Sequence, residues 1–187
     1  MNKIIRKIQY SEKVYRFDVE APLIAKSRKA GNFVIIRVDA NSERMPLTIA
    51  DADIEKGTIT LVVQKVGLSS TKLCNLNEGD EIHDVVGPLG NPTHIENFGT
   101  VLCAGGGVGV APMLPIIKAL KAAGNRVLSV IAGRSKDLVI MEDEVRASSD
   151  ELIIMTDDGS YGEKGVVTVG MEKLIQQEHI DKAFASG

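Results

Sequence analysis

The sequence predicts two domains of different class: a small antiparallel β-barrel over residues 1–97, then an α/β domain with a parallel sheet over residues 98–187. Three observations carry this. Apolar residues alternate in short runs through the first half, between turn-forming clusters. After Thr100 the runs become continuously apolar, and each leads into a stretch of helical period instead of a tight turn. With 187 residues, 44% hydrophobic and 25% charged, the chain is long enough for each half to bury a core.

In the first half, Val14–Val19 and Phe33–Val38 read as strands. Breaks fall at Ala30-Gly31-Asn32, Glu55-Lys56-Gly57 and Glu78-Gly79-Asp80, where glycine and short polar residues suit turns. Short strands at this spacing suit a small barrel. In the second half Val101–Ala104 predicts a parallel strand covered on both faces. Pro112–Ala123 predicts a helix, with Met113, Ile116, Ile117 and Leu120 on one face, Pro112 in its first turn and Gly124 just past its end. Strands follow at Val127–Ala132 and Leu152–Met155, a short helix at Met141–Ser148, a longer one at Met171–Glu178, and a last strand at Lys182–Ala185. This βαβαβαβ order implies right-handed crossovers. The chain ends on that strand with no helix to cover it, which reads as a fragment.

Composition removes several classes of function. The net charge is −3, and no clustered excess of Lys and Arg marks a nucleic-acid surface. No run approaches the roughly 18 apolar residues of a membrane span, and Met1–Ile5 lacks a signal-peptide core, so a cytoplasmic protein is expected. Cys74 and Cys103 form no CxxC pair, and a disulfide between them stays open. His83, His94 and His179 are scattered, so no metal site is expected.

The sharpest local signal is Gly105-Gly106-Gly107-Val108-Gly109-Val110-Ala111-Pro112, between a buried strand and a helix. Glycines let a backbone approach a phosphate, and a helix N-terminus offers it free N–H groups. The spacing is neither GxGxxG nor a P-loop. A tight turn with no ligand is the competing reading. At the end of the next strand, Gly133-Arg134-Ser135-Lys136 replaces the acidic residue that holds an NAD ribose. That segment is either a contact for a ribose or 2′-phosphate or a solvated loop. In the first half, Arg44-Met45-Pro46-Leu47-Thr48 and Gly67-Leu68-Ser69-Ser70-Thr71-Lys72-Leu73 place guanidinium or hydroxyl groups beside strand ends. Turn chemistry alone would also explain them.

These segments, with Gly87-Pro88-Leu89-Gly90 between them, occur in an order that resembles the ferredoxin–NADP reductase superfamily over essentially the whole chain. The resemblance is nearest to its electron-transfer subunits, of the ferredoxin–NADP oxidoreductase (sulfide dehydrogenase) and dihydroorotate dehydrogenase kinds. It implies a flavin-binding barrel and a nucleotide-binding α/β domain. Arg44, Pro46, Leu47 and Thr48 would line FAD, with Thr48 near the reactive ring nitrogen as the catalytic candidate. Val63, Gln64 and Lys65 would follow the flavin, and Gly67, Ser70 and Thr71 would hold its pyrophosphate. Gly105, Gly106, Gly107, Val108, Gly109 and Pro112 would bind NAD(H) or NADP(H), with Arg134, Asp157, Asp158 and Gly159 nearby. Asp157–Gly162 also reads as a plain turn.

Three departures stand out. Arg44 lies four residues before Thr48 where the superfamily commonly has three, and Ser186 stands where its strand-end cysteine falls. The cysteine-rich tail that ligates a [2Fe–2S] cluster is missing, so that cluster is expected only in a longer form. The resemblance implies hydride exchange between NAD(P)H and FAD, with electrons passed singly through an iron–sulfur centre to a larger flavoprotein partner in a heteromer. Three alternatives remain: service to dihydroorotate dehydrogenase, a self-sufficient flavin reductase, and a non-catalytic pyridine-nucleotide-binding module. NADH and NADPH are not separated.

Overall fold

The computed structural model describes residues 2–187, which divide into two compact units, the first ending at Thr93 and the second running from His94 to Gly187. The first contains β1 (Asn2–Gln9), β2 (Val14–Glu20), α1 (Pro22–Ser27), β3 (Phe33–Arg37), β4 (Met45–Asp53), β5 (Thr58–Gln64), α2 (Leu68–Asn75), β6 (Glu81–Ile82) and β7 (Asp84–Leu89). The strands form one antiparallel sheet in the order β6-β1-β2-β5-β4-β3-β7. Its two edge strands are consecutive in the chain, separated by His83 alone. The sheet therefore has to curl until its edges approach, which makes a nearly closed barrel. Period-two alternation turns Phe17, Val19, Val34, Ile36, Ile59 and Leu61 inward to a common core. The sequence pattern does not reveal α1 and α2, which are short and poor in helical periodicity. Asn32, buried in the turn before β3, accepts from the N–H of Lys29 and donates to the carbonyls of Leu89 and Gly90, tying β7 to that turn.

The second unit contains β8 (Thr100–Gly106), α3 (Val110–Ala122), β9 (Arg126–Gly133), α4 (Glu142–Ala147), β10 (Glu151–Thr156), the two-residue β11 (Glu163–Lys164), α5 (Val167–Gln177) and β12 (Lys182–Ser186). All are parallel, in the order β11-β10-β9-β8-β12. The chain thus steps outward from β8 on one side and returns to β12 on the other. That reversal puts a topological switch point between the C-terminal ends of β8 and β12, where open α/β sheets bind ligands.

Two helices differ from expectation. α3 begins at Val110, two residues before Pro112, and buries Leu114 and Pro115 along with Met113, Ile117 and Leu120, while Ile116 is only half-buried. α5 begins at Val167, before the expected Met171, because Gly170 lies inside it and is buried against Val130 and Met155. A Cβ at Gly170 would lie 2.7 Å from Val130 Cγ1, so close packing outweighs glycine's poor helix propensity. Gly124, at φ 87°, ends α3 as expected. The buried Asn125 beside it makes four bonds: it accepts from the N–H groups of Phe98 and Gly99, and donates to the carbonyls of Glu96 and Leu120.

Candidate functional site

In the first unit, the residues singled out by sequence gather around one gap in the sheet. The β4–β5 ladder runs from Asp53–Thr58 to Ile49–Leu61 and stops there. Met45–Thr48 continue as strand paired only with β3, and Val62–Gln64 continue paired only with β2. Both inner edges beyond Ile49 and Leu61 are without a ladder partner, so a planar group can enter between them. Leu47 packs against the barrel core and Val63 is buried in it, so Val63 offers a ligand its backbone alone. Pro46 and Arg44 are exposed, and Thr48 is half-buried with no side-chain hydrogen bond among the described residues.

Past the end of β5 the chain turns through Lys65 and Gly67 into α2. Lys65, Gly67 and Thr71 line a cavity of about 430 Å³ with Gln9, Glu12, Lys13 and Tyr15 of the β1–β2 hairpin and Val66. The first bond within α2 runs from the N–H of Thr71 to the carbonyl of Gly67, so earlier N–H groups of the first turn are free for an anion. Lys13 and Lys65 add positive charge. Ser70 is engaged differently: its buried hydroxyl accepts from the N–H groups of Val66 and Gly67 and donates to the Gly67 carbonyl. It shapes the loop. The hairpin's contribution was invisible in the sequence, because only strand pairing brings Tyr15 beside Val63.

In the second unit the glycine segment spans the end of β8, a 3₁₀ turn at Gly107–Gly109 and the start of α3. Its glycines serve different ends. A Cβ at Gly105 would lie 2.9 Å from the Cα of Val110, and one at Gly109 would lie 2.5 Å from the carbonyl oxygen of Ser186. Both are demanded by packing. Gly107 has φ 54°, a left-handed conformation that favours glycine. Gly106 meets neither demand: a Cβ there would have only the Cα of Gly187, at 4.0 Å, as a neighbour. Space lies open above Gly106 and Gly107, at the switch point and before a helix N-terminus, which fits a pyrophosphate. Val108 and Pro112 are half-buried beside it.

Two further segments meet along the same sheet edge. The N–H of Asp157 donates to Gly133 and that of Asp158 to Arg134, while the N–H of Lys136 donates to the Ser160 hydroxyl. Gly159, at φ 76°, makes the turn. Hydrogen bonds from Ser160 hold the Asp158 carboxyl below the usual carboxylate range. Arg134 is exposed. Gly87 and Gly90 of the remaining motif lie against Val34 and Phe33, where a Cβ would come within 2.7 Å and 2.9 Å of those side chains, so this motif binds β7 to β3.

Cys74 and Cys103 are both buried and free, one in each unit, and burial pushes the Cys103 thiol up to about 12. Among the described residues no three His, Cys, Asp or Glu side chains are gathered as a metal site requires. The residues present do not fit an iron–sulfur cluster. Among the described residues no helix is long and apolar enough to cross a membrane.

A curled antiparallel sheet followed by a parallel sheet with a glycine turn at its switch point is the ferredoxin–NADP reductase fold. No family model matches the chain. It is 48% identical over 187 residues to the dihydroorotate dehydrogenase B (NAD(+)), electron transfer subunit homolog of Thermotoga maritima, a match covering 100% of this chain and 66% of that protein. It is 31% identical over 188 residues to the dihydroorotate dehydrogenase B (NAD(+)), electron transfer subunit of Fusobacterium nucleatum, covering 96% of this chain and 72% of that one. Among solved structures, that of an NADH-dependent reduced ferredoxin-NADP oxidoreductase matches with a TM-score of 0.94 and 44% identity, covering 100% of this chain and 67% of that one. The chain belongs to the family of ferredoxin–NADP reductase-like electron-transfer subunits that these proteins represent. It spans 66% of the Thermotoga protein's length.

Proposed function

We propose that the chain is the cofactor-carrying part of an electron-transfer subunit, in which the first unit holds FAD and the second binds NAD(H) or NADP(H). The observation that carries this reading is the division of labour in the glycine turn: Gly105 and Gly109 are required by packing, while Gly106 leaves an open backbone surface that the fold itself does not need. Bound there, the two cofactors would supply hydride exchange and single-electron release. The chain's residues bind and orient. The inner edges of Met45–Thr48 and Val62–Gln64 receive the ring system, and Thr48 offers it an uncommitted hydroxyl. The α2 N-terminus with Lys65, Gly67 and Thr71 holds the flavin pyrophosphate. Arg44, exposed before β4, contacts the flavin phosphate or ribityl chain. Gly106 and Gly107 hold the nicotinamide dinucleotide's pyrophosphate. No general acid or base is required.

An iron–sulfur centre and the partner that accepts electrons would come from outside these residues. We take the partner to be a larger flavoprotein of the ferredoxin–NADP oxidoreductase kind. A dihydroorotate dehydrogenase is the second reading, favoured by the name of the Fusobacterium relative. Co-purification with one or the other separates them.

The test is an anaerobic absorbance titration of the purified protein. Bleaching of a flavin band by NADH or NADPH is the expected result. Absence of any flavin band after FAD is supplied overturns the reading and favours a non-catalytic nucleotide-binding module.

A further inference from the structure

The gap between β4 and β5 narrows to Ile49–Leu61 and opens toward Met45 and Gln64. Because the two strands are antiparallel, the segment leading into Met45 and the segment leaving Gln64 lie at the same end of the barrel. The first is the β3–β4 loop, Val38–Arg44, and the second runs through Lys65 and Gly67 into α2. One side chain joins them: the Lys72 ammonium of α2 donates to the Asp39 carboxylate at 3.0 Å and to the Ser42 hydroxyl at 3.3 Å.

The two sides of this bridge are fixed to different degrees. α2 is a firm support, with Leu73 and Cys74 in the barrel core. Its C-terminal end is gripped by Lys7, whose ammonium donates to the carbonyls of Cys74 and Leu76 at 2.8 and 2.6 Å and lies over the rings of Tyr15 and Phe17. The first half of the loop is also held: the Val38 carbonyl accepts from the N–H of His83, and Arg37, paired with Asp84, donates to the Ala40 carbonyl. Its second half reaches α2 through Lys72, and it ends at Arg44, which is exposed and makes no hydrogen bond or ion pair among the described residues. Lys72 is the foremost reason that the Asp39 carboxyl lies at about 2, so both partners are charged at neutral pH. Lys72 stands four residues after Leu68, about 6 Å along the helix axis. Arg44 follows Ser42 by two residues, about 7 Å of chain at most. The bridge therefore keeps Arg44 beside the first turn of α2.

We propose that Lys72 and Asp39 are positioning residues for flavin binding, which act through Arg44 by latching the β3–β4 loop to α2 so that the guanidinium and the helix N-terminus meet the same phosphate. A guanidinium already placed loses less freedom when the anion arrives, so the latch contributes to affinity without touching the ligand. Lys72 also lies in the last turn of α2, where a cation suits the helix dipole. That role needs neither Asp39 nor Arg44, which makes the two separable. The inference rests on the flavin-binding reading of the first unit.

Calorimetric titration of the flavin-free full chain with FAD tests it without relying on turnover, in a double-mutant cycle. Arg44→Ala should weaken FAD binding about tenfold or more, the size of a charge-assisted contact to phosphate. Lys72→Met should weaken it about two- to fivefold, the range open to an exposed ion pair. Asp39→Asn, which keeps Lys72 and an acceptor for the Asn41 N–H, should do the same. Lys72→Arg should restore the affinity. In the Arg44→Ala background neither Lys72→Met nor Asp39→Asn should weaken binding further. Unchanged affinity in the single variants overturns the inference, as do losses that add in full to that of Arg44→Ala, or a loss in Lys72→Met that Asp39→Asn does not share. Failure of the unmodified chain to bind FAD overturns the flavin-binding reading itself.

Discussion

A methyl group added at Gly106 has no neighbour nearer than 4.0 Å, whereas one added at Gly109 falls 2.5 Å from a backbone oxygen that cannot swing aside. The two alanine variants should therefore separate folding from binding. Gly109→Ala should cost about 1–3 kcal/mol through overpacking, seen as a melting temperature several degrees lower. Gly106→Ala should melt within about a degree of the unmodified chain, since an uncrowded substitution changes stability by about 0.5 kcal/mol or less. It should nonetheless weaken pyridine-nucleotide binding, measured by calorimetric titration with NAD⁺ and NADP⁺. Equal melting of the two variants would contradict the packing argument. The glycine run was legible in the sequence as the turn between a buried strand and a helix. Which of its glycines packing demands was not, because that depends on Ser186 and Gly187 arriving from the far end of the unit.

At the scale of elements, the parallel sheet and its crossovers were readable because buried strands show as continuous apolar runs. The start of α5 was misread because Gly170 looks like a helix breaker until Val130 and Met155 are placed against it. The candidate flavin site was legible only in pieces: Met45–Thr48 and Val62–Gln64 carry no mark that their ladder stops at Ile49–Leu61. Asn125 illustrates a device the sequence hides altogether. Its amide joins the α3–β9 turn to the segment leading into β8, and its removal orphans the N–H of Phe98 and the carbonyl of Glu96. Asn125→Ala should lower the unfolding free energy by about 2–3 kcal/mol, read as an earlier urea midpoint with an unchanged slope. A midpoint that stays in place would show that water replaces the amide.

Over the molecule as a whole, surface carboxylates decide how the fold meets acid. Asp39 is drawn from 3.8 to about 2 by hydrogen bonds from the Lys72 ammonium, the Ser42 hydroxyl and the Asn41 N–H. Asp53, Asp150 and Asp158 are lowered in the same direction, the first by the Lys56 N–H and ammonium, the second by Lys121 and the Val127 N–H, the third by Ser160. A depressed native value means that the folded state binds fewer protons than the unfolded one. The stabilisation is then complete above the ordinary carboxylate range and is lost as pH falls through the native values. The melting temperature should hold from neutral pH to about 4 and decline from there toward 2, the interval bounded for Asp39 by 3.8 and about 2. These groups are exposed, so added salt should flatten the decline. A melting temperature that rises on acidification through this interval would reverse the assigned sign.

The closure of the barrel through His83 also has a temporal side. The pairing of Asn2 with Ile82 and of Lys3 with Glu81 joins residues from opposite ends of the first unit. Loop entropy makes such distant contacts slow to form. As the chain leaves the ribosome, β1 can pair at once with β2 on one side, but its other edge waits until almost the whole unit has been synthesised. Until then β1 presents an open row of backbone donors and acceptors to whatever nascent chain is nearby.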